Sequence, residues 1–182
     1  MKKKTIGVFV GSLREGAYSK SVARYLEKIA PEGLTLTALD IGHLPLYNQD
    51  YDSNPPAEYK KFRDDVRALD GFLFVTPEHN RSFPAALKNA LDIASRPYGQ
   101  SAWNGKPGGV VSVSPGALGG FGANHQLRQV LTFLNVFTMQ QPEAYVGRIA
   151  DAVDEKGEIV NPGVQDLLKG FMGAFAAWVD TF

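Results

Sequence analysis

Short apolar runs that end in glycine or proline alternate along this chain with longer stretches whose apolar residues recur at helical spacing. Thr5–Gly11 (TIGVFVG), Gly71–Thr76 (GFLFVT, followed by Pro77) and Gly109–Ser114 (GVVSVS) are continuous apolar runs, the pattern of strands buried on both faces. Leu34–Leu39 alternates as a strand does, and Val136–Met139 reads as a short fifth strand. Between them lie amphipathic segments. Tyr18–Ala30 aligns Val22, Tyr25, Leu26 and Ile29, and a second segment aligns Tyr59, Phe62, Val66 and Leu69. A third opens at Pro84 and aligns Leu87, Ala90, Leu91 and Ala94; Gln126–Leu134 and Val164–Val179 follow.

Strands that alternate with helices of this length predict right-handed crossovers and a parallel sheet covered on both faces. Five strands fit a flavodoxin-like, doubly wound α/β sheet of order 2-1-3-4-5 better than a six-stranded Rossmann sheet. A length of 182 residues fits one domain spanning 1–182. In such folds ligands bind beyond the carboxyl ends of the strands, where the strand order reverses. The loops after strands one, three and four then share one rim.

Composition narrows the chemistry. Nineteen basic and nineteen acidic residues cancel, which argues against a nucleic-acid footprint. Cysteine is absent, so disulfides, thiolate metal sites and iron–sulfur clusters are excluded, and redox chemistry would require a bound cofactor. The start MKKKTIGVFVG has lysines before an apolar run, but Ile6–Val10 is too short for a signal peptide; the lysines read as solvating the start of a strand. No stretch approaches the ~20 apolar residues of a membrane span, so a cytoplasmic protein without a membrane partner is expected. His43 and His125 are far apart and no pair has ligand spacing, so no metal site is expected. Asp64 and Asp65 read as helix surface, and the G-x-S-x-G elbow of a serine hydrolase is missing.

The unusual residues fall on the predicted rim. The first loop, Gly11-Ser12-Leu13-Arg14-Glu15-Gly16-Ala17-Tyr18-Ser19, joins a strand to a helix. A phosphate there would meet free backbone N–H groups and the positive end of the helix dipole, with Ser12, Ser19 and Arg14 as further donors. The alternative makes Ser19 a plain N-cap and Arg14 a solvated charge. Neither a Walker lysine nor G-x-G-x-x-G is present. The third-strand loop, Thr76 to Pro84, suits a fixed row of backbone groups against a planar ring, or else a stiff connector with an Asx turn at Asn80. The glycine-rich stretch Gly116–Gly122 reads as a tight turn before a helix.

Taken together, GSLREGAYS, TPEHNRSFPAALKNALD and SPGALGGFGA resemble the NADPH-dependent FMN reductase family, in order and spacing over nearly the whole chain. The resemblance implies FMN as cofactor and NAD(P)H as co-substrate. It further implies small-molecule acceptors: quinones, flavins, azo compounds or metal oxyanions such as chromate, reduced by a ping-pong route. Gly11, Ser12, Leu13, Arg14 and Ser19 would then hold the phosphate. Pro77, Glu78, His79 and Asn80 would line the isoalloxazine, and the turn from Val113 through Ser114 to Gly116 would face it from the other side. Two departures from the family pattern involve three positions. Ala17 and Ser19 stand where serine and asparagine are frequent, and His79 replaces the usual tyrosine.

Arg96, ending the helix after the flavin loop, reads either as an attractor of anionic substrates or as a partner of that helix's negative end. The loop Pro45–Tyr51 carries aromatics on a polar element, which predicts a homodimer or homotetramer, the alternative being tyrosines folded back on their own domain. A flavodoxin-type electron carrier is the rival to a reductase. Such carriers are strongly acidic, whereas this chain is neutral.

Overall fold

The computed structural model describes residues 3–182. Lys2 therefore lies outside the described residues; Lys3 is exposed and Lys4 is the first residue of a strand. The elements run β1 (Lys4–Val10), α1 (Tyr18–Lys28), β2 (Leu34–Ala38), α2 (Ala57–Arg67), β3 (Gly71–Pro77), α3 (Ala85–Ala94) and β4 (Pro107–Val113). After them come α4 (Phe121–Phe133), β5 (Phe137–Thr138), β6 (Ala144–Val146) and α5 (Pro162–Val179). Every strand pairing is parallel and the order is β2-β1-β3-β4-β5, as the alternation predicts.

Register brings the carboxyl ends together: Val10 lies opposite Val75, and Pro77 opposite Val113. The loops after β1, β3 and β4 thus leave the sheet side by side. Because β1, β3 and β4 are buried on both faces, their side chains feed two cores. Ile6, Val8, Leu73, Val75, Val111 and Val113 pack under α1 and α5. Phe9, Phe72, Phe74 and Val110 pack against α2, α3 and α4 around the fully buried Trp103, whose Nε1–H donates to the Leu91 carbonyl at 3.0 Å. That bond satisfies the one polar atom of an otherwise apolar side chain.

Three sequence expectations need correction. The fifth strand is split: β5 is only Phe137–Thr138, and after Met139–Glu143 the chain rejoins the same edge of β4 as β6. Three residues are too few to show a period, so β6 was invisible in the sequence. Helix α4 begins at Phe121, five residues before the expected Gln126, because its N-terminus is capped by a residue remote in sequence. Helix α1 ends at Lys28, with Ile29 as its C-cap, two residues before the expected Ala30. Among the described residues no helix is long and apolar enough to cross a membrane.

Candidate functional site

The loop after β1 delivers the chain to α1 with its first turn free of acidic side chains. The N-cap is Ala17, whose carbonyl accepts the N–H groups of Lys20 (2.9 Å) and Ser21 (3.3 Å). Ser19 is therefore not the N-cap. It sits inside the first turn, 1% exposed, and its hydroxyl has no hydrogen-bond partner. A buried hydroxyl left unpaired in a native fold is rare, and a phosphate at this turn would supply it with an acceptor. The loop itself is braced: Ser12 Oγ accepts the Arg14 N–H at 3.4 Å, and Lys20 Nζ donates to the Leu13 carbonyl at 3.3 Å. Leu13 and Arg14 are exposed at its tip. Helix N–H groups, an orphan hydroxyl and a free guanidinium at one strand-to-helix turn fit a phosphate.

After β3 the chain makes a two-residue hairpin. His79 and Ser82 exchange backbone bonds at 2.7 and 2.9 Å, and the residues between them, Asn80 (φ 49°) and Arg81 (φ 67°), are both left-handed. This is a type I′ turn, not the Asx turn of the stiff-connector alternative. Left-handed non-glycine residues are strained, and such strain collects at functional sites. His79 and Asn80 are exposed, and Pro77 and Glu78 half-buried. Glu78 reaches across to the next loop: its Oε2 accepts the Ala123 N–H at 3.1 Å, while its Oε1 accepts from Arg81 Nη1 at 3.2 Å. Gly120, the N-cap of α4, has no side chain to do this, so Glu78 caps the helix in its place.

The loop after β4 is stitched to the end of β6. Ser114 N–H donates to the Val146 carbonyl (3.0 Å), and the Ile149 N–H donates back to the Ser114 carbonyl (3.3 Å). The Arg148 N–H donates to the Gly116 carbonyl (3.1 Å), and Ser114 Oγ accepts the Gly116 N–H. Gly147 and Arg148 thereby support the rim, a role sequence reasoning missed; the only signal was a glycine closing the AYV run. Tyr145 lies beside them, its hydroxyl 2.9 Å from His125 Nε2, with Phe121 against both rings. Burial first, and the Glu143 carboxylate next, push the Tyr145 phenol up to about 12.

The structure thus brings Gly11, Ser12, Leu13, Arg14, Ser19, Pro77, Glu78, His79, Asn80, Val113, Ser114 and Gly116 to one rim. Arg96 is not among them. It follows the far end of α3, roughly 15 Å of helix from Pro84. Its Nε donates to the Tyr47 hydroxyl at 3.2 Å, with its guanidinium over the Tyr47 ring and 4.0 Å from Asp52. Tyr47 folds back onto Tyr59, while Leu46 and Tyr51 stay exposed. Asp64 and Asp65 pair with Arg67 and Lys61 on the surface of α2.

The family model for NADPH-dependent FMN reductase matches residues 5–151, most of the chain. The chain belongs to that family. A quinone reductase from Pseudomonas putida is 54% identical over 176 residues, covering 96% of this chain and 94% of the relative. A 2-hydroxy-1,4-benzoquinone reductase from Burkholderia sp is 46% identical over 174 residues, covering 96% and 95%. Among solved structures, a flavoenzyme NAD(P)H:(acceptor) oxidoreductase from Paracoccus denitrificans superimposes with a TM-score of 0.91 at 38% identity, covering 98% of each chain. A flavodoxin from Pseudomonas aeruginosa, at 23% identity and TM-score 0.58, shares the fold. FMN is the cofactor of this NADPH-dependent FMN reductase family member and NAD(P)H its co-substrate. The Ser19 hydroxyl, in the first turn of α1, is buried without a partner.

Proposed function

We propose that this chain is an FMN-dependent NAD(P)H:quinone reductase whose open rim also admits free flavins, azo compounds and metal oxyanions such as chromate. The observation that carries the reading is the buried, unpartnered Ser19 hydroxyl beside the exposed Arg14. The quinone reductases at 46–54% identity support the choice of acceptor. Ser12, Leu13, Arg14 and Ser19 hold the phosphate; Pro77, His79 and Asn80 on one side and Val113–Gly116 on the other hold the ring.

Bound FMN supplies hydride acceptance from the nicotinamide and electron delivery to the acceptor. The side chains therefore bind and orient; no protein acid or base is demanded at the rim. One site serves donor and acceptor in turn, in keeping with three loops that leave the sheet side by side on a single rim. The exposed Leu46 and Tyr51 suit burial against a second copy, giving a homodimer or homotetramer.

Purified protein should be yellow, and anaerobic NAD(P)H should bleach its flavin band. Double-reciprocal plots for NAD(P)H at several quinone concentrations should be parallel. A yellow protein that neither nicotinamide reduces is an electron carrier, and the reductase reading then falls.

A further inference from the structure

Both oxygens of the Glu78 carboxylate are occupied within the protein, one by the Ala123 N–H and the other by Arg81. The side chain is only 14% exposed, while Arg81 is 76% exposed, so the pair is anchored from the Glu78 side. We infer that Glu78 does not read the flavin ring with its carboxylate; it is a positioning residue that locks the two loops flanking the ring into one preformed slot. This rests on the FMN-binding reading above.

The geometry on both sides of the clamp supports it. On the β3 side, Arg81 is the second of two left-handed residues in the tight hairpin. Its pairing with Glu78 secures the strained turn through its own side chain, and the His79–Ser82 backbone bonds secure it from within. On the α4 side, Gly120 starts the helix with φ 76° and no capping side chain, so the Ala123 N–H depends on Glu78. A carboxylate at this end also interacts favourably with the helix dipole.

The two sides touch closely at Gly122. A β-carbon there would lie 3.0 Å from Glu78 Oε2 and 2.9 Å from the Arg81 carbonyl oxygen, so glycine is what lets the helix start press against the hairpin. The rows after β3 and after β4 cannot shift independently while this contact holds. A slot held open in advance binds its ligand without the affinity loss that a fractionally populated conformation imposes.

The test compares parent, Glu78→Ala, Glu78→Gln and Gly122→Ala. FMN affinity is read by flavin fluorescence, and hydrogen exchange of the Ala123 amide is read in FMN-free protein. In Glu78→Ala the Ala123 amide should exchange about tenfold faster or more, and FMN should bind about tenfold more weakly. Glu78→Gln keeps one oxygen for the Ala123 N–H but turns an NH2 donor toward Arg81, so Ala123 exchange should stay near the parent while FMN weakens by less than in Glu78→Ala. Gly122→Ala leaves the carboxylate in place but forces the loops apart, and should match Glu78→Ala in affinity. Parent-like exchange and affinity in Glu78→Ala would overturn the clamp; should that variant not fold, an unchanged FMN affinity in Gly122→Ala overturns it. If the parent itself binds no FMN, the cofactor reading fails, and the exchange comparison, which needs no FMN, still decides whether Glu78 holds α4.

Discussion

Gly147 backs directly onto the peptide of Ala117, so that a β-carbon at residue 147 would overlap the Ala117 carbonyl. This contact fixes the height of the loop after β4 relative to the end of β6. Gly147→Ala is expected to push Gly116 and Ala117 away from the rim. Overpacking of this kind costs about 1–3 kcal/mol. Urea unfolding of the FMN-free protein should show that loss, and fluorescence titration should show weaker FMN binding. Parent-like values in both would mean that this contact does not shape the site.

Ser19→Ala is expected to change affinity and stability in opposite directions. The hydroxyl is buried and unpaired, so removing it relieves an unsatisfied group and leaves the FMN-free protein as stable as the parent or slightly more so. A hydrogen bond to a charged group contributes about 1.5–3 kcal/mol, so FMN affinity should fall about 10- to 150-fold. Arg14→Ala should weaken FMN by a similar factor and leave stability untouched, because Arg14 is exposed. Unaltered flavin affinity in both variants would remove the phosphate site from this loop.

Tyr145 supplies a pH signature. Its phenol stands at about 12 in the folded chain, raised by burial and then by Glu143, against about 10 in an unfolded chain. A pKa raised on folding contributes stability that is complete below about pH 10 and is lost as pH rises toward 12. Tyr145→Phe should flatten the fall of stability across that window, and tyrosinate absorbance should lose its last-titrating component. Identical pH–stability curves for parent and variant would contradict the shift.

Arg63 and Asp52 offer a double-mutant test. Arg63 is 3% exposed, its Nε donates to the Ile93 carbonyl at 2.9 Å, and its Nη2 lies 3.8 Å from Asp52 Oδ1; neither of those last two atoms has another partner. Burial lowers the Arg63 pKa and the Asp52 charge opposes this. Asp52→Ala leaves the guanidinium without its counter-charge and should destabilise by about 3 kcal/mol. Arg63→Met combined with Asp52→Ala should cost less than Asp52→Ala alone. Additive costs in chemical denaturation would show that the two charges are not coupled.

The order of the sheet and the position of the rim were legible in the sequence because β1, β3 and β4 are apolar runs closed by glycine or proline. The loop proposed to hold phosphate stands out for a related reason: glycine, serine and arginine are unusual company between a buried strand and a helix. What escaped was non-local. The start of α4 depends on Glu78, which lies 45 residues before Ala123. Of the two readings of Ser19, the cap fails, because Ala17 occupies that place and leaves the hydroxyl unpaired. Arg63 stands in the apolar stripe of α2, and nothing local marks it as buried. Gly147 and Arg148 reach the rim only because β6 rejoins β4.

The broken outer strand has a further consequence for how this protein behaves in a crowded solution. An uninterrupted edge offers unpaired backbone groups on which another chain can template itself, the usual opening for aggregation. Here the edge beyond β4 offers two residues, then an irregular stretch containing Pro142, then three more. No incoming strand can stay in register across that gap, and proline withholds a donor within it. The same detour that carries Gly147 to the rim therefore makes this side of the sheet a poor seed for misassembly.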